Sequence, residues 1–378
     1  MPALRPAARA NESNGGNISC MAIESKKKGG FWRKLGWFLA ICVAFELGLR
    51  LFGYGNYTIY RPDEKLLWVP IPGRALTVDN HLPITINHQG LRYASDLTAK
   101  QKGEFRIMAF GDSATQGWGV DDNSTYSAVL EKKLNLGSCP GEHFQAVSAG
   151  VNAYPNALVG EKLREVEEDP TFQPDIVIRA YSFNSNFERL PKLQGAARQK
   201  FLRQVEFKSI IRRSAIYNFV IEHLLRRVAY YKMRHMIMAG TLDSVGGMDN
   251  LDVNAVMASL QNSLDETRAH HAQLVLLVLA SKDQKSDDLH PFQKAMLDFA
   301  QSNHLPVVNM VDVLKTNAPA DFYMDPVHPT AVGHQIIADQ LYNVIRGLPV
   351  YSAACQQQAV NVANSASPAS SSNGAAAH

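Results

Sequence analysis

The chain has 378 residues, and its 38 Lys+Arg against 35 Asp+Glu give a formal charge of +3, small for this length. That balance excludes a generally basic, nucleic-acid-binding protein. Hydrophobic residues at 46% and charged residues at 19% exclude full-length disorder and suffice for one or two domains with a sizeable core.

Residues 1–30 read as a cytoplasmic basic tail, disordered ahead of the cluster Lys26, Lys27 and Lys28, with Met21 a possible start. With Arg33 and Lys34, these residues lead into the apolar segment 31–53 (FWRKLGWFLAICVAFELGLRLFG). At about 1.5 Å per residue such a segment is long enough to cross a hydrocarbon core of about 30 Å. Glu46 and Arg50 are costly inside a bilayer, but their four-residue spacing lets them pair on one helix face. The expectation is an uncleaved transmembrane signal anchor, with basic residues keeping the N-terminus inside and exporting everything that follows. An amphipathic helix of a soluble domain and a cleaved signal are the alternatives. Of the four cysteines, Cys20 would then lie inside and Cys42 in the bilayer, while Cys139 and Cys355 would meet an oxidising space and could pair. No C-x-x-C motif is present, which excludes a Cys-ligated zinc ribbon.

Residues 54–103 carry short extended pieces between Pro and Gly, and Trp68, Ile84, Ile86 and Leu91 in them require burial. This segment should pack on the main domain, which we place at 104–350. There the apolar runs EFRIMAF, FQAVSA, DIVIRAY, QLVLLVLA and LPVVNM alternate with segments of helical period. The alternation predicts a three-layer α/β domain built on a parallel sheet, closed by a helix over 330–345 with Thr330 as its N-cap. An insert at 190–250 has a strongly basic centre with interleaved apolar residues. It reads as a helical subdomain with a solvated basic face, or as a cap that meets lipid headgroups or gathers an anionic substrate. The stretch 351–378, rich in Ala, Ser, Asn and Gln, reads as a disordered tail.

The candidate chemistry starts where the first strand runs into Gly111-Asp112-Ser113. In an open α/β sheet, function sits at the carboxyl ends of the strands, and a Ser in that turn exposes its hydroxyl there. A nucleophilic Ser needs an imidazole to take its proton and a carboxylate to orient the imidazole. Asp325-Pro326-Val327-His328-Pro329, just before the last helix, supplies both. Two further strand ends carry Gly150 and Asn184, whose N–H and side-chain amide could stabilise an oxyanion together with the N–H of Ser113.

These residues resemble the SGNH, or GDSL-type, esterases and lipases, over about residues 105–345. The resemblance places Ser113, Gly150, Asn184 and His328 on the four name-giving positions, with Asp325 as third member of the triad. It implies a flavodoxin-like fold, ester hydrolysis, and neither metal nor cofactor. Where family members often carry Gly-x-Asn-Asp, this chain reads Ser182-Phe183-Asn184-Ser185, so Asn186 is a rival for the oxyanion role. The anchor and an N-x-x-G-L-R segment at 87–92 are similar to membrane-tethered bacterial members, which implies a single-pass protein of the bacterial cytoplasmic membrane with its domain outside. The expected substrate is an acyl ester, acetyl or short-chain, of a glycan or lipid. Transfer of an acetyl group to surface glycan and a non-catalytic glycan-binding role are the alternatives. The chain has no G-x-S-x-G, H-E-x-x-H or Walker A motif, and Gly117-Trp118-Gly119 does not complete a dinucleotide fingerprint. His270, His271 and His290 lack acidic partners at metal spacing and read as surface residues.

Overall fold

A computed structural model describes residues 29–356 apart from 56, 58–59, 77–81, 138, 140–141, 182–189, 226–251, 283, 285–288 and 318–320. Two compact units divide it, Met1–Phe45 and Glu46–His378.

A helix, α1 (Gly29–Leu51), forms where the anchor was expected. Among the described residues, however, no helix is long and apolar enough to cross a membrane. Arg33 and Lys34 near one end and Glu46 and Arg50 near the other leave only residues 35–45 free of charge, about 16 Å of helix against a core of about 30 Å. The transmembrane anchor at 31–53 is thus corrected to an apolar helix with charged ends. In the first unit, Trp32, Trp37, Phe38 and Ile41 are largely exposed.

Glu46 and Arg50 belong to the second unit, and there they do more than pair with each other. The Glu46 carboxylate accepts from the N–H groups of Ala215 (2.8 Å) and Ile216 (3.0 Å) and from the Ser214 hydroxyl (3.0 Å). Arg50 donates to Glu46 (2.7 Å) and to Arg213 O (2.6 Å). A buried helix start leaves orphan N–H groups, and Glu46 satisfies two of them.

Two antiparallel hairpins follow, β1 (Tyr60–Asp63) with β2 (Leu67–Pro70) and β3 (Gly73–Leu76) with β4 (Pro83–Ile86). Trp68, Ile84, Ile86 and Leu91 are all buried, as their apolar bulk requires. The central sheet has the strands β5 (Glu104–Phe110), β6 (His143–Ser148), β7 (Ile176–Tyr181), β8 (Gln273–Val278) and β9 (Val307–Asn309), all parallel, in the order β6-β5-β7-β8-β9. This is the doubly wound order whose topological switch falls between β5 and β7.

Because successive strand residues point to opposite faces, Met108, Phe110 and Val177 enter one core, whereas Ile107, Ala109 and Ile178 enter the other. Helices α4 (Asn156–Glu167), α7 (Val253–Ala269) and α8 (Pro291–Ser302) cover the first face. Helices α3 (Tyr126–Asn135) and α10 (Ala331–Arg346) cover the second, and the short α9 (Met310–Asn317) follows β9. The three-layer α/β architecture is the one expected, and Thr330 caps α10 by accepting from Gly333 N–H at 3.2 Å.

The insert contributes α5 (Gly195–Ile211) and α6 (Ala215–Val220), with short helical turns at Leu190–Lys192 and Ile221–Leu225, and its residues 226–250 lie outside the described residues. Helical structure continues at 349–356, where Tyr351 is buried and Cys355 is joined to Cys139. The packed domain therefore extends past residue 350, where the tail was expected to begin. An aromatic contact explains it: Tyr351 stacks on Phe144 at 5.5 Å.

Candidate active site

Strand β5 ends at Phe110, and Gly111 and Asp112 turn the chain into the single helical turn α2 (Ser113–Gln116). Asp112 caps this turn by accepting from Ala114 N–H at 3.0 Å. Gly117 ends it with φ +82°, and a side chain there would meet Thr125 and Arg92 at 2.6 and 2.7 Å. Gly111 has equally little room, since a Cβ would lie 2.1 Å from Thr115 Oγ1. The glycines flanking Ser113 thus answer to close approach, not to generic turn preference.

At the other end of the domain, Asp325 and His328 sit in a loop closed on itself. Asp325 Oδ1 accepts from the N–H groups of Val327 (2.9 Å) and His328 (2.8 Å), and Met324 N–H donates to His328 O at 3.0 Å. With one carboxylate oxygen so occupied, Asp325 Oδ2 accepts a hydrogen bond from His328 Nδ1–H at 2.7 Å. Burial pushes the Asp325 carboxyl up, but the His328 hydrogen bond and charge and the two backbone N–H groups outweigh it and hold the group below its ordinary range. A carboxylate that accepts at Nδ1 leaves Nε2 as the acceptor nitrogen. That atom receives the Ser113 hydroxyl at 2.8 Å, across 215 residues of sequence. Ser113, Asp325 and His328, singled out from the sequence, are brought together.

Gly150 follows β6, and a Cβ there would stand 2.4 Å from Gln116 N. Only glycine allows the end of β6 to lie against the serine turn. Among the described residues, its N–H has only a 3.4 Å contact with Ser148 Oγ. Asn184 and its rival Asn186 lie outside the described residues. Among the described residues, no group of His, Cys, Asp or Glu could hold a metal ion.

Three functional positions escaped the motif reading. Arg92, almost wholly buried, donates to the carbonyls of Gln116 (2.7 Å), Gly117 (2.6 Å) and Val120 (2.8 Å), and it pairs with Asp122 at 3.0 Å. It is the last residue of the N-x-x-G-L-R segment, whose Asn87 side chain accepts from Leu91 N–H at 3.0 Å. Gln116 Oε1 accepts from Tyr60 OH (3.0 Å) and from Asn152 N–H (3.1 Å), which ties the serine turn to β1 and to the loop after β6. His334 lies on α10, and its Nδ1 accepts from Tyr126 N–H at 3.1 Å. Burial, reinforced by the charges of Arg92 and His328, pushes its pKa down to about 3 and keeps the ring neutral. Only the first of these had a signal in the sequence, the short motif around Gly90.

A three-layer α/β fold with Ser, His and Asp aligned at the carboxyl edge of its sheet defines the class of serine hydrolases. Residues 109–336 match the GDSL-like Lipase/Acylhydrolase family, well over half of the chain. The chain belongs to this family and is an enzyme of its ester-hydrolysing type.

Similar solved structures include TesA, 13% identical, with 65% of this chain and 99% of that one covered and a TM-score of 0.41. The lipase/acylhydrolase from Enterococcus faecalis is 14% identical, with 64% and 96% covered and a TM-score of 0.40. The psychrotrophic esterase EstA from Pseudoalteromonas sp. is 13% identical, with 64% and 96% covered and a TM-score of 0.39. No curated protein matches the chain.

Proposed function

We propose that the protein is an esterase that works through a covalent acyl intermediate on Ser113. The observation that carries this reading is the unbroken chain from Ser113 Oγ to His328 (2.8 Å) and from His328 to Asp325 (2.7 Å). His328 Nε2 takes the Ser113 proton as Oγ attacks the ester carbonyl, and Asp325 stabilises the imidazolium that forms. The oxyanion lies on the N–H groups of Ser113 and Gly150 and on the side chain of Asn184. His328 then protonates the departing alcohol and activates a water that releases the acid. Fluorophosphonate labelling of the full chain tests the assignment. Labelling confined to Ser113 and lost in Ser113→Ala is expected; labelling elsewhere, or full esterase activity in the folded variant, removes it. A series of acyl esters from acetate upward then sets the chain length accepted.

We also infer that α1 tethers the enzyme to a membrane and that the domain acts on the exported side. Support comes from the exposed Trp32, Trp37, Phe38 and Ile41, which water disfavours and a bilayer interface accommodates. The Cys139–Cys355 bond supports export, since disulfides persist in oxidising compartments. Alkaline phosphatase fused after residue 350 should be active, and the protein should fractionate with membranes. An active cytoplasmic fluorescent-protein fusion at the same point would overturn the export.

A further inference from the structure

A cavity of about 380 Å³ opens between the first hairpin, the loop after β6 and helix α5. Its size lies in the range of small-molecule sites. It adjoins the serine turn: Tyr60 and Asn152, both in its lining, bond the same oxygen of Gln116, which lies one helical turn from Ser113. The other amide atom, Gln116 Nε2, is buried and has no hydrogen-bond partner among the described residues. The walls are apolar and aromatic, with Trp68 and Phe201 in contact at 5.8 Å between ring centres. Trp68 is itself held in place, donating from Nε1 to Asn152 O at 3.1 Å.

The charge is all of one sign. Lys208 and Arg212 line the cavity from α5, four residues apart and therefore on one helix face, and among the described residues no carboxylate lines it. Neither side chain has an ion pair or a hydrogen bond among the described residues. Arg212 is half-buried, so its guanidinium has lost part of its hydration without gaining an acceptor among the described residues. Two unneutralised cations at the edge of an apolar hollow favour an anion with an apolar body.

We propose that this cavity is the subsite for the unreactive part of the ester, and that it selects substrates whose apolar or aromatic body carries a carboxylate or phosphate, held by Lys208 and Arg212. The proposal rests on Ser113 being the nucleophile. It gives the insert a task at the site: α5 brings the charge that the hydrolase core lacks there. The helix is fixed for this by Arg198, which donates to the carbonyls of Glu64 and Lys65 between the first two strands.

The test compares kcat/KM of the full chain for matched neutral and anionic esters. The acyl-side pair is 4-nitrophenyl butyrate and 4-nitrophenyl hemisuccinate; the alcohol-side pair is phenyl acetate and 4-acetoxybenzoate. The wild type should favour the anionic member of one pair. The double variant Lys208→Ala/Arg212→Ala should lower that preference about tenfold. Lys200→Ala/Arg203→Ala, which removes two exposed charges of the same helix outside the lining, should leave it within twofold. No preference in the wild type, or an equal loss in both double variants, overturns the subsite. Should the double variant fail to fold, the exposed Lys208→Gln alone is read in the same way. Binding of phenyl phosphate and benzoate to Ser113→Ala protein gives a readout independent of turnover. It should weaken severalfold in Ser113→Ala/Lys208→Gln, and unchanged binding overturns the proposal. Absence of turnover on every ester, with phenyl phosphate still bound in a Lys208-dependent way, would sink the esterase reading and leave the cavity's ligand class standing.

Discussion

The serine turn after β5 and the His328 loop before α10 meet across 2.8 Å, and they are held in opposite ways. The His328 loop carries its own support: Asp325 binds two backbone N–H groups within three residues, and Tyr323 pairs with Pro329. The serine turn is held from a distance. Arg92, Gln116's partners Tyr60 and Asn152, and Tyr126, which donates to Thr115 at 3.1 Å, all reach it from other elements. The acid–base half of the site is therefore local and the nucleophile half is distributed. The division is one of degree, since Lys282 N–H donates to Pro326 O at 2.9 Å and the Tyr323 hydroxyl donates to Ala280 O.

The comparison can be broken most sharply at its meeting point. Ser113→Ala and His328→Ala should each lower kcat by about three orders of magnitude or more, and the double variant should be scarcely worse than either single one, because the residues act as a unit. Additive losses in steady-state kinetics would mean that the two halves work separately. Asp325→Asn should come next, a loss of about three orders of magnitude, since an amide can hold the wrong tautomer of His328. Its stability should fall modestly at neutral pH, where the wild-type carboxylate contributes fully. It should also lose less stability in acid than the wild type does, because a carboxyl with a lowered pKa stabilises the fold above its ordinary range and loses that contribution as pH falls.

Arg92→Lys tests the distributed half. One ammonium cannot replace a fork that serves three carbonyls. We expect a loss of about 3 kcal/mol in denaturant unfolding and a fall in kcat of about tenfold as the turn shifts. An unaltered kcat would show that the turn does not need its remote support. The smallest effect on catalysis lies away from both halves, at Glu167 on α4. Burial pushes its carboxyl up to about 8, and the neighbouring Thr267 hydroxyl already donates to Ser263 O. The folded chain keeps a proton there that the unfolded chain releases, so stability should fall as pH rises from about 5 to about 8. Glu167→Gln should flatten that slope in chemical denaturation without changing kcat, whereas an unchanged slope would place the proton elsewhere.

The same division between local and distributed explains what could be read in the sequence. The strands of the central sheet were legible because each is a short apolar run, and the inner ones are buried on both faces. Asp325 and His328 were legible because three residues of sequence contain their geometry. Gln116 and Tyr60 were not, since nothing in their own neighbourhoods says that they will face each other across 56 residues. Arg92 stood in a short motif, but its task depends on Gly117 and Val120 lying within its reach. At α1, length, apolarity and the preceding basic cluster suggested a membrane crossing with Glu46 and Arg50 paired, whereas the positions of the four charges limit the uncharged stretch. Glu46 in that helix serves the start of α6, an assignment that no spacing rule within α1 contains. Asn184, placed by resemblance, lies outside the described residues.

The Cys139–Cys355 bond closes a covalent ring 216 residues around. Gly150, Asp325 and His328 lie on the ring, while Ser113 lies on the chain that leads into it. In the chain-entropy account, a loop of this length is worth about 5 kcal/mol against the unfolded state. One backbone cut anywhere between the two cysteines opens the ring without dividing the molecule. An enzyme nicked between Cys139 and His328 would run as a single species until reduced, and only then would the nucleophile and its base separate on different fragments.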